Sequence, residues 1–403
     1  MNRLPQFVLV AACLVPTFAA AREGIATWNL GWLMDKAVHT RWVQACSAIN
    51  WKTEDELKAA QQPAPDALKG LPYCDVHDGI DYRIKPKCKA VIGMALQSRP
   101  SKADSADGKC RVAPDLADWT QYERKLAVLR ETFQAMDKDG VTLVGLQEVS
   151  NEAAVKTILP PGWEVITSAS QAGAPAIPQQ VGVAWKEGSP VPRNFRLFNE
   201  LSAIGSRPLR PGLQFTRDVS GKPTDFLVVH MKAGCRSVPI NNPSKDSEKE
   251  ACPVLAEQVV VLERWIDDRV GKDFVVLGDF NRTLLREMEQ YPRADPKRFG
   301  ANMPDQVVAM ATEWNDDTPK GSLIQVVPHK KKNAEGKLIA GDYFCSQTTG
   351  IDHVILSATL AQRVRGSKTL EMLQVSYRLE GKSLPTDKDT VPPSDHCARF
   401  VRL

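Results

Sequence analysis

The sequence predicts an α/β protein in which sheets are covered by helices, and two observations carry that reading. The first is a repeated helix-then-strand unit. Trp119, Tyr122, Leu126, Leu129, Phe133 and Met136 recur at helical spacing over 119–138, with Asp118 as N-cap, and the apolar run Val141–Leu146 follows. Residues 254–269 repeat the pattern, with Pro253 at the helix start and Phe274-Val275-Val276-Leu277 as the next strand. The second is how the strands end. Apolar runs stop abruptly in polar groups, as in Gly278-Asp279-Phe280-Asn281, so the rim of a sheet receives a carboxylate and an amide two residues apart and on the same side.

The remaining strands follow in chain order. Ile25–Asn29 opens the series, then come Trp163–Thr167, Val181–Lys186, Leu213–Val219, Asp225–Val229 leading into His230, Ile351–Leu356 and Cys397–Val401. Between Met34 and Leu116 the pattern degrades under Pro63, Pro65, Pro72, Pro86 and Pro100, so 34–117 reads as an irregular insertion held by its own disulfides. The run Lys330–Lys332 reads as a solvated loop, and His39, His77, His329 and His353 as structural or surface residues.

With 403 residues, 43% hydrophobic and 25% charged, the chain can bury a sizeable core, and its length alone allows two or three domains. A net charge of +4 is compatible with a polyanionic partner without specifying one. Residues 1–21 read as a secretory signal: Arg3 is followed by the apolar Phe7–Val15 and the small-residue site Ala19-Ala20-Ala21. The stretch is too short for a membrane span, so no transmembrane segment is expected and the location is secreted or periplasmic. Val10-Ala11-Ala12-Cys13 offers the alternative of a lipid-modified Cys13. Eight cysteines lie beyond the leader and suggest up to four disulfides. Proximity favours Cys74 with Cys88 and Cys235 with Cys252, and elimination then pairs Cys46 with Cys110 and Cys345 with Cys397.

Collected, the strand-end polar residues are Asn29, Glu148, His230, Asp279 with Asn281, Asp352, and Asp395 with His396. Carboxylates and amides suit a hard divalent cation, Mg²⁺ or Mn²⁺, with Ca²⁺ also admitted by an oxygen-rich set. Histidines beside carboxylates suit proton transfer near neutral pH. The mixture fits metal-assisted hydrolysis of a phosphate ester.

Trp28-Asn29, Leu146-Gln147-Glu148, Ser206-Arg207-Pro208, Val229-His230-Met231-Lys232, Gly278-Asp279-Phe280-Asn281, Ile351-Asp352-His353-Val354 and Ser394-Asp395-His396 together resemble the endonuclease/exonuclease/phosphatase superfamily of deoxyribonuclease I-like proteins, in the family's order and across residues 25–403, which implies one such domain over 22–403. The resemblance implies a four-layered α/β sandwich of two mostly antiparallel sheets flanked by helices. It implies that Glu148 is the principal metal ligand with Asn29 and Asp395 nearby, that Asp279 handles the attacking water, and that Asn281 holds a phosphate oxygen. It places His396, oriented by Asp352, and His230 against the scissile phosphate, with Arg207 as a phosphate contact. The implied activity is hydrolysis of nucleic acid with little sequence preference.

Two departures from the family pattern matter. The position expected to carry a glutamate behind His230 falls on Gln179-Gln180-Val181, which makes His230 a phosphate donor rather than a tuned acid. The insertion at 34–117 leaves the substrate open to a second reading, a phosphatase or phosphodiesterase acting on a lipid head group or small phosphoester, with Trp42 and Trp51 as the aromatic residues that could meet a lipid surface. A non-catalytic binding scaffold is the third reading, disfavoured because no polar motif position has become apolar. The oligomeric state is not specified by the sequence.

Overall fold

The computed structural model describes residues 23–47, 70–71, 119–205, 208–236, 239–291, 304–329, 350–365, 370, 372–374, 394 and 396–403. Two parallel strand pairs form the centres of two six-stranded sheets. In the first sheet β1 (Gly24–Leu33) runs parallel to β2 (Val141–Val149), and the full order is β11 (Leu373–Gln374), β12 (Arg399–Arg402), β1, β2, β4 (Gln180–Lys186), β3 (Trp163–Thr167). In the second, β7 (Lys222–His230) runs parallel to β8 (Phe274–Asp279), in the order β5 (Arg193–Phe198), β6 (Gly212–Val219), β7, β8, β10 (Asp352–Ser357), β9 (Ile324–Val326). The other pairings are antiparallel.

Side-chain alternation sorts the core into three apolar layers. Ile25, Leu143, Phe226, Val228, Val275, Leu277, Val354 and Leu356 fill the space between the sheets. Their out-of-phase neighbours Ala26, Trp28, Val144 and Leu146 face α1 (Lys36–Ser47), α2 (Trp119–Lys138) and α3 (Glu152–Lys156). Leu227, Val229, Phe274 and Val276 face α4 (Ala251–Asp267), α5 (Leu284–Gln290) and α6 (Met310–Glu313). The result is helix, sheet, sheet, helix, the expected four-layered sandwich. Each aliphatic side chain buried this way contributes about 1.5–3 kcal/mol. The sheets approach closely at Gly145, where a Cβ would stand 2.5 Å from Leu277 Cδ1. A last helix, α7 (Ala358–Arg365), adds Leu360 and Ala361 to the layer between the sheets.

Several expectations need correction. The first part of the region read as irregular is α1, because Val38 and Trp42, four residues apart, bury one face of it and His39 packs on Trp119 and Tyr122. Trp42 is fully buried, so it presents no aromatic surface to a lipid; Trp51 lies outside the described residues. The disulfide between Cys235 and Cys252 is present and ties the loop after β7 to the start of α4, which begins three residues before the expected helix. Cys397 is a free thiol, fully buried in the apolar layer beneath the first sheet, which overturns its pairing with Cys345. Cys345, the other expected bridges, Asp118, His77 and Lys330–Lys332 lie outside the described residues. The short strands β5, β9 and β11 carry too little periodicity to be read from sequence. Among the described residues no helix is long and apolar enough to cross a membrane.

Candidate active site

The same alternation that builds the inter-sheet core aims the site. Asn29 is in phase with Ile25, His230 with Phe226 and Val228, Asp279 with Val275 and Leu277, and Asp352 with Val354 and Leu356. All four therefore point between the sheets at one rim, where β7 and β8 end, β10 begins and the register of β1 to β2 breaks. Gly278 makes this possible in β8: its φ is 154°, and a Cβ would sit 2.0 Å from Val229 O across the parallel pair.

Glu148 is out of phase. Counting along β2 puts it on the helix side with Val144 and Leu146, yet it reaches the rim because the strand bulges there. Gln147 pairs with Val181 and Val149 with Gln180, so two residues of β2 oppose one of β4, and Glu148 takes φ 58°. β1 is distorted in concert: Asn29 pairs with Gln147 but Leu33 with Val149, and Gly31 and Trp32 have φ 56° and 59°. Non-glycine residues in this region cost about 1–3 kcal/mol each and persist where neighbours over-determine them.

Asn29 is the centre of the polar network. Its Nδ2 donates to Glu148 Oε1 at 3.2 Å and to Asp279 Oδ2 at 3.1 Å, while its Oδ1 accepts from Gly31 N at 3.0 Å. Glu148 Oε2 also accepts from Trp32 N at 3.2 Å. Asp279 Oδ1 accepts from Asn281 N at 2.7 Å, and Asn281, at φ 54°, donates its Nδ2 to Met231 O at 3.0 Å. Burial raises the Asp279 carboxyl to about 7, with His396 opposing, Asp352 adding to the rise, and the donors Asn281 and Asn29 opposing it.

His396 and Asp352 form a buried dyad. His396 Nδ1 lies 2.9 and 3.1 Å from the two Asp352 oxygens, and its Nε2 faces Asp279 Oδ2 at 3.7 Å. Ser394 Oγ accepts from His396 N at 3.1 Å and donates to Asn29 O at 2.7 Å, fastening the last loop to β1. His230 differs: its Nε2 stands 3.5 Å from Asp279 Oδ2 and 3.9 Å from Glu148 Oε1, and its buried Nδ1 has no hydrogen-bond partner among the described residues. Burial first, then the charges of Arg210 and His396, hold the His230 pKa well below its ordinary value, so the ring is neutral at pH 7.

Arg210 was not anticipated from sequence. It donates Nε to His230 O at 3.2 Å, Nη2 to Met231 O at 2.7 Å and Nη1 to Gln179 Oε1 at 3.1 Å. Burial lowers its pKa while Glu148 and Asp279 raise it again, so a fixed cation faces both carboxylates. The Ser-Arg-Pro signature drew attention to Arg207 instead, and the second arginine three residues on was the available signal. Gln179, the residue standing where a glutamate was sought, serves Arg210 rather than His230. Arg207 and Asp395 lie outside the described residues. His353 and His329 are structural as expected: His353 Nε2 is 2.9 Å from Arg282 O, and its ring stacks on His329.

Among the described residues one group, Asp279, Asp352 and His396, has potential ligand atoms all within 4.8 Å of one another. Asp352 commits both oxygens to the His396 ring, an arrangement suited to holding a proton rather than a hard cation, which prefers oxygen. The Glu148 end fits a cation better. There Glu148, the most exposed carboxylate of the cluster at 14%, accepts from the neutral donors Asn29 Nδ2 and Trp32 N, leaving negative charge for a divalent ion to offset.

No protein-family model matches the chain, and no curated protein matches it. Solved structures similar to it include the human Nocturnin catalytic domain with bound sulfate (13% identity over 70% of this chain and 86% of that one, TM-score 0.38). An endonuclease/exonuclease/phosphatase from Bacteroides vulgatus shares 12% identity over 71% and 91%, TM-score 0.39. D. rerio TDP2 complexed with single strand DNA product shares 13% over 69% and 92%, TM-score 0.39. The solved structures that resemble this chain thus include endonuclease/exonuclease/phosphatase proteins, at low identity and TM-score. The fold assignment rests on the strand order and register of this chain itself.

Proposed function

We propose that this protein is an exported, divalent-metal-dependent phosphodiesterase that cleaves nucleic acid with little sequence preference. The observation that carries the reading is the convergence of Glu148, Asn29, Asp279, His230, His396 and Asp352 on one rim from strands far apart in sequence. The leader-like residues 1–21 support export.

In this reading Glu148 would hold Mg²⁺ or Mn²⁺, with Asp395 as the further ligand that the resemblance implies, and Asn29 keeps Glu148 and Asp279 at a fixed separation. The ion would supply Lewis-acid polarisation of a phosphate oxygen. Asp279 takes the proton of the attacking water, its affinity for protons raised to about 7 by burial, close to the pH at which a general base works best. Asn281 fixes Asp279 through its backbone N–H and borders the phosphate position. Asp352 orients His396 so that its Nε2 donates to the phosphoryl group. His230, neutral and without a carboxylate behind it, acts as a hydrogen-bond donor, and Arg210 supplies fixed positive charge. A phosphodiester carries one negative charge, a monoester nearly two, and a site in which His230 is held neutral suits the diester better.

The second reading, a small or lipid phosphoester, loses part of its support with the burial of Trp42. Purified protein should degrade plasmid DNA or RNA with Mg²⁺ or Mn²⁺ and stop with EDTA. Turnover of monoesters or lipid head groups alone would move the assignment to the second reading, and hydrolysis of none of these would leave the binding scaffold.

A further inference from the structure

The bulge that turns Glu148 into the cleft is held from behind by two polar residues of α2 that lie among apolar ones. Tyr122 and Lys125 are both fully buried and, three residues apart, share the helix face toward the first sheet. The Tyr122 hydroxyl donates to Trp32 O at 3.1 Å and accepts from Met34 N at 2.7 Å, bridging the two sides of Leu33. Lys125 Nζ donates to Gly31 O. Between them they fix the carbonyls of Gly31 and Trp32, the two residues of β1 at positive φ. The Trp32 N–H is thereby aimed at Glu148 Oε2, and Ser150 N closes the far side on Leu33 O at 2.8 Å.

Burying an ammonium and a phenol in a hydrocarbon layer is unfavourable unless their hydrogen bonds are met. Packing alone would be served as well by phenylalanine and methionine. What the polar ends add is a defined conformation for a segment of β1 that no sheet partner can specify, because its register to β2 is broken there.

We propose that Tyr122 and Lys125 are positioning residues: a clamp on the Gly31-Trp32-Leu33 bulge that sets the direction of the Glu148 carboxylate. The proposal rests on the reading of Glu148 as the cation-holding group and deepens it, by assigning the stiffness of that site to the helix beneath it. Both are fully buried beneath the first sheet and act through β1. With the clamp released, Trp32 can leave its strained conformation, its amide lets go of Glu148, and the carboxylate is free to follow the alternation of β2 away from the rim.

The test compares Tyr122→Phe and Lys125→Met with Leu129→Ala, which opens the same apolar layer on the same helix without touching the bulge. Three quantities are measured on each full-length protein: the melting temperature, the exchange rate of the Trp32 amide hydrogen, and Mn²⁺ affinity by calorimetry. Tyr122→Phe should speed Trp32 exchange at least about tenfold and weaken Mn²⁺ binding by a similar factor, the loss expected for a partner that orients a metal ligand. Leu129→Ala should lower the melting temperature more while leaving Mn²⁺ affinity unchanged. Unchanged Trp32 exchange in Tyr122→Phe, or equal loss of Mn²⁺ affinity in Leu129→Ala, overturns the clamp. Wild-type protein that binds no Mn²⁺ overturns the cation reading of Glu148 instead, and the exchange measurement decides the clamp without it.

Discussion

The two ends of the polar network at the rim are built on opposite principles. Asp352 and His396 are dry and bonded to each other, Asp352 in phase with the inter-sheet core on a regular strand and His396 on the loop before β12. Glu148, 14% exposed, and the buried Trp32 behind it reach their positions through bulges and positive φ, Glu148 out of phase with the inter-sheet core. Asn29 joins the two, with one amide nitrogen on Glu148 and on Asp279. A dyad that must hold a proton gains from exclusion of water, whereas a carboxylate that must bind and release a hydrated ion gains from exposure. On the proposed function, the difference means that this rim would divide its work: one side would handle protons, the other a cation.

The division is broken most severely at the dry side. Asp279→Asn and His396→Ala should each lower turnover at least about 10²-fold, the usual scale for losing acid–base or electrostatic assistance. Folding should survive, since both sit at the sheet rim; the check is single-turnover rates beside melting curves. Near-normal turnover in Asp279→Asn would remove the base from the account.

His230→Ala sharpens the comparison from between the two sides. Its Nδ1 has no partner among the described residues and its ring is neutral, so it supplies one hydrogen bond rather than a relay. The expected loss is about tenfold, the order of one neutral hydrogen bond of roughly 1.4 kcal/mol. A loss equal to that of His396→Ala, measured with the same diester, would place both histidines in one proton path.

Glu263, far from the rim on α4, tests whether a raised carboxylate by itself signals function. Burial first, then Glu313, Asp267 and Asp316, push its pKa up to about 8, with only Arg264 among its named neighbours opposing. The folded state therefore holds its proton where the unfolded chain, with an ordinary value near 4.5, has released it. Stability from this group is present below about pH 4.5 and is lost as pH rises through about 8. Glu263→Gln should accordingly raise the melting temperature more at pH 8.5 than at pH 5, with turnover unchanged. Equal shifts at both pH values would remove the ionisation argument.

Most of the dry side was legible in the sequence because strand alternation fixes it, His396 on its loop excepted. His230 and Asp279 follow, and Asp352 precedes, apolar residues at spacing two, so pattern and structure agree. Glu148 shows the opposite: its own strand pattern points it to the helices, and it was singled out by resemblance, not by period. Tyr122 and Lys125 were hidden because helical spacing marks Tyr122 as core and leaves Lys125 unread, and both are core in position. Arg210 acts through carbonyls of His230 and Met231, contacts that no local pattern announces. The helix α1 was masked by the proline-rich sequence that follows it.

The most direct test of the division of labour is the dependence of rate on Mn²⁺ concentration in Glu148→Gln and Asp352→Asn, measured side by side on one diester substrate. Raising Mn²⁺ well above the wild-type requirement should restore Glu148→Gln by at least about tenfold, because a weakened ligand set is refilled by mass action. Asp352→Asn should keep its full deficit at every concentration, since no added ion reorients His396. Recovery of both variants alike, or of Asp352→Asn alone, would contradict the assignment of cation to one side of the rim and proton to the other.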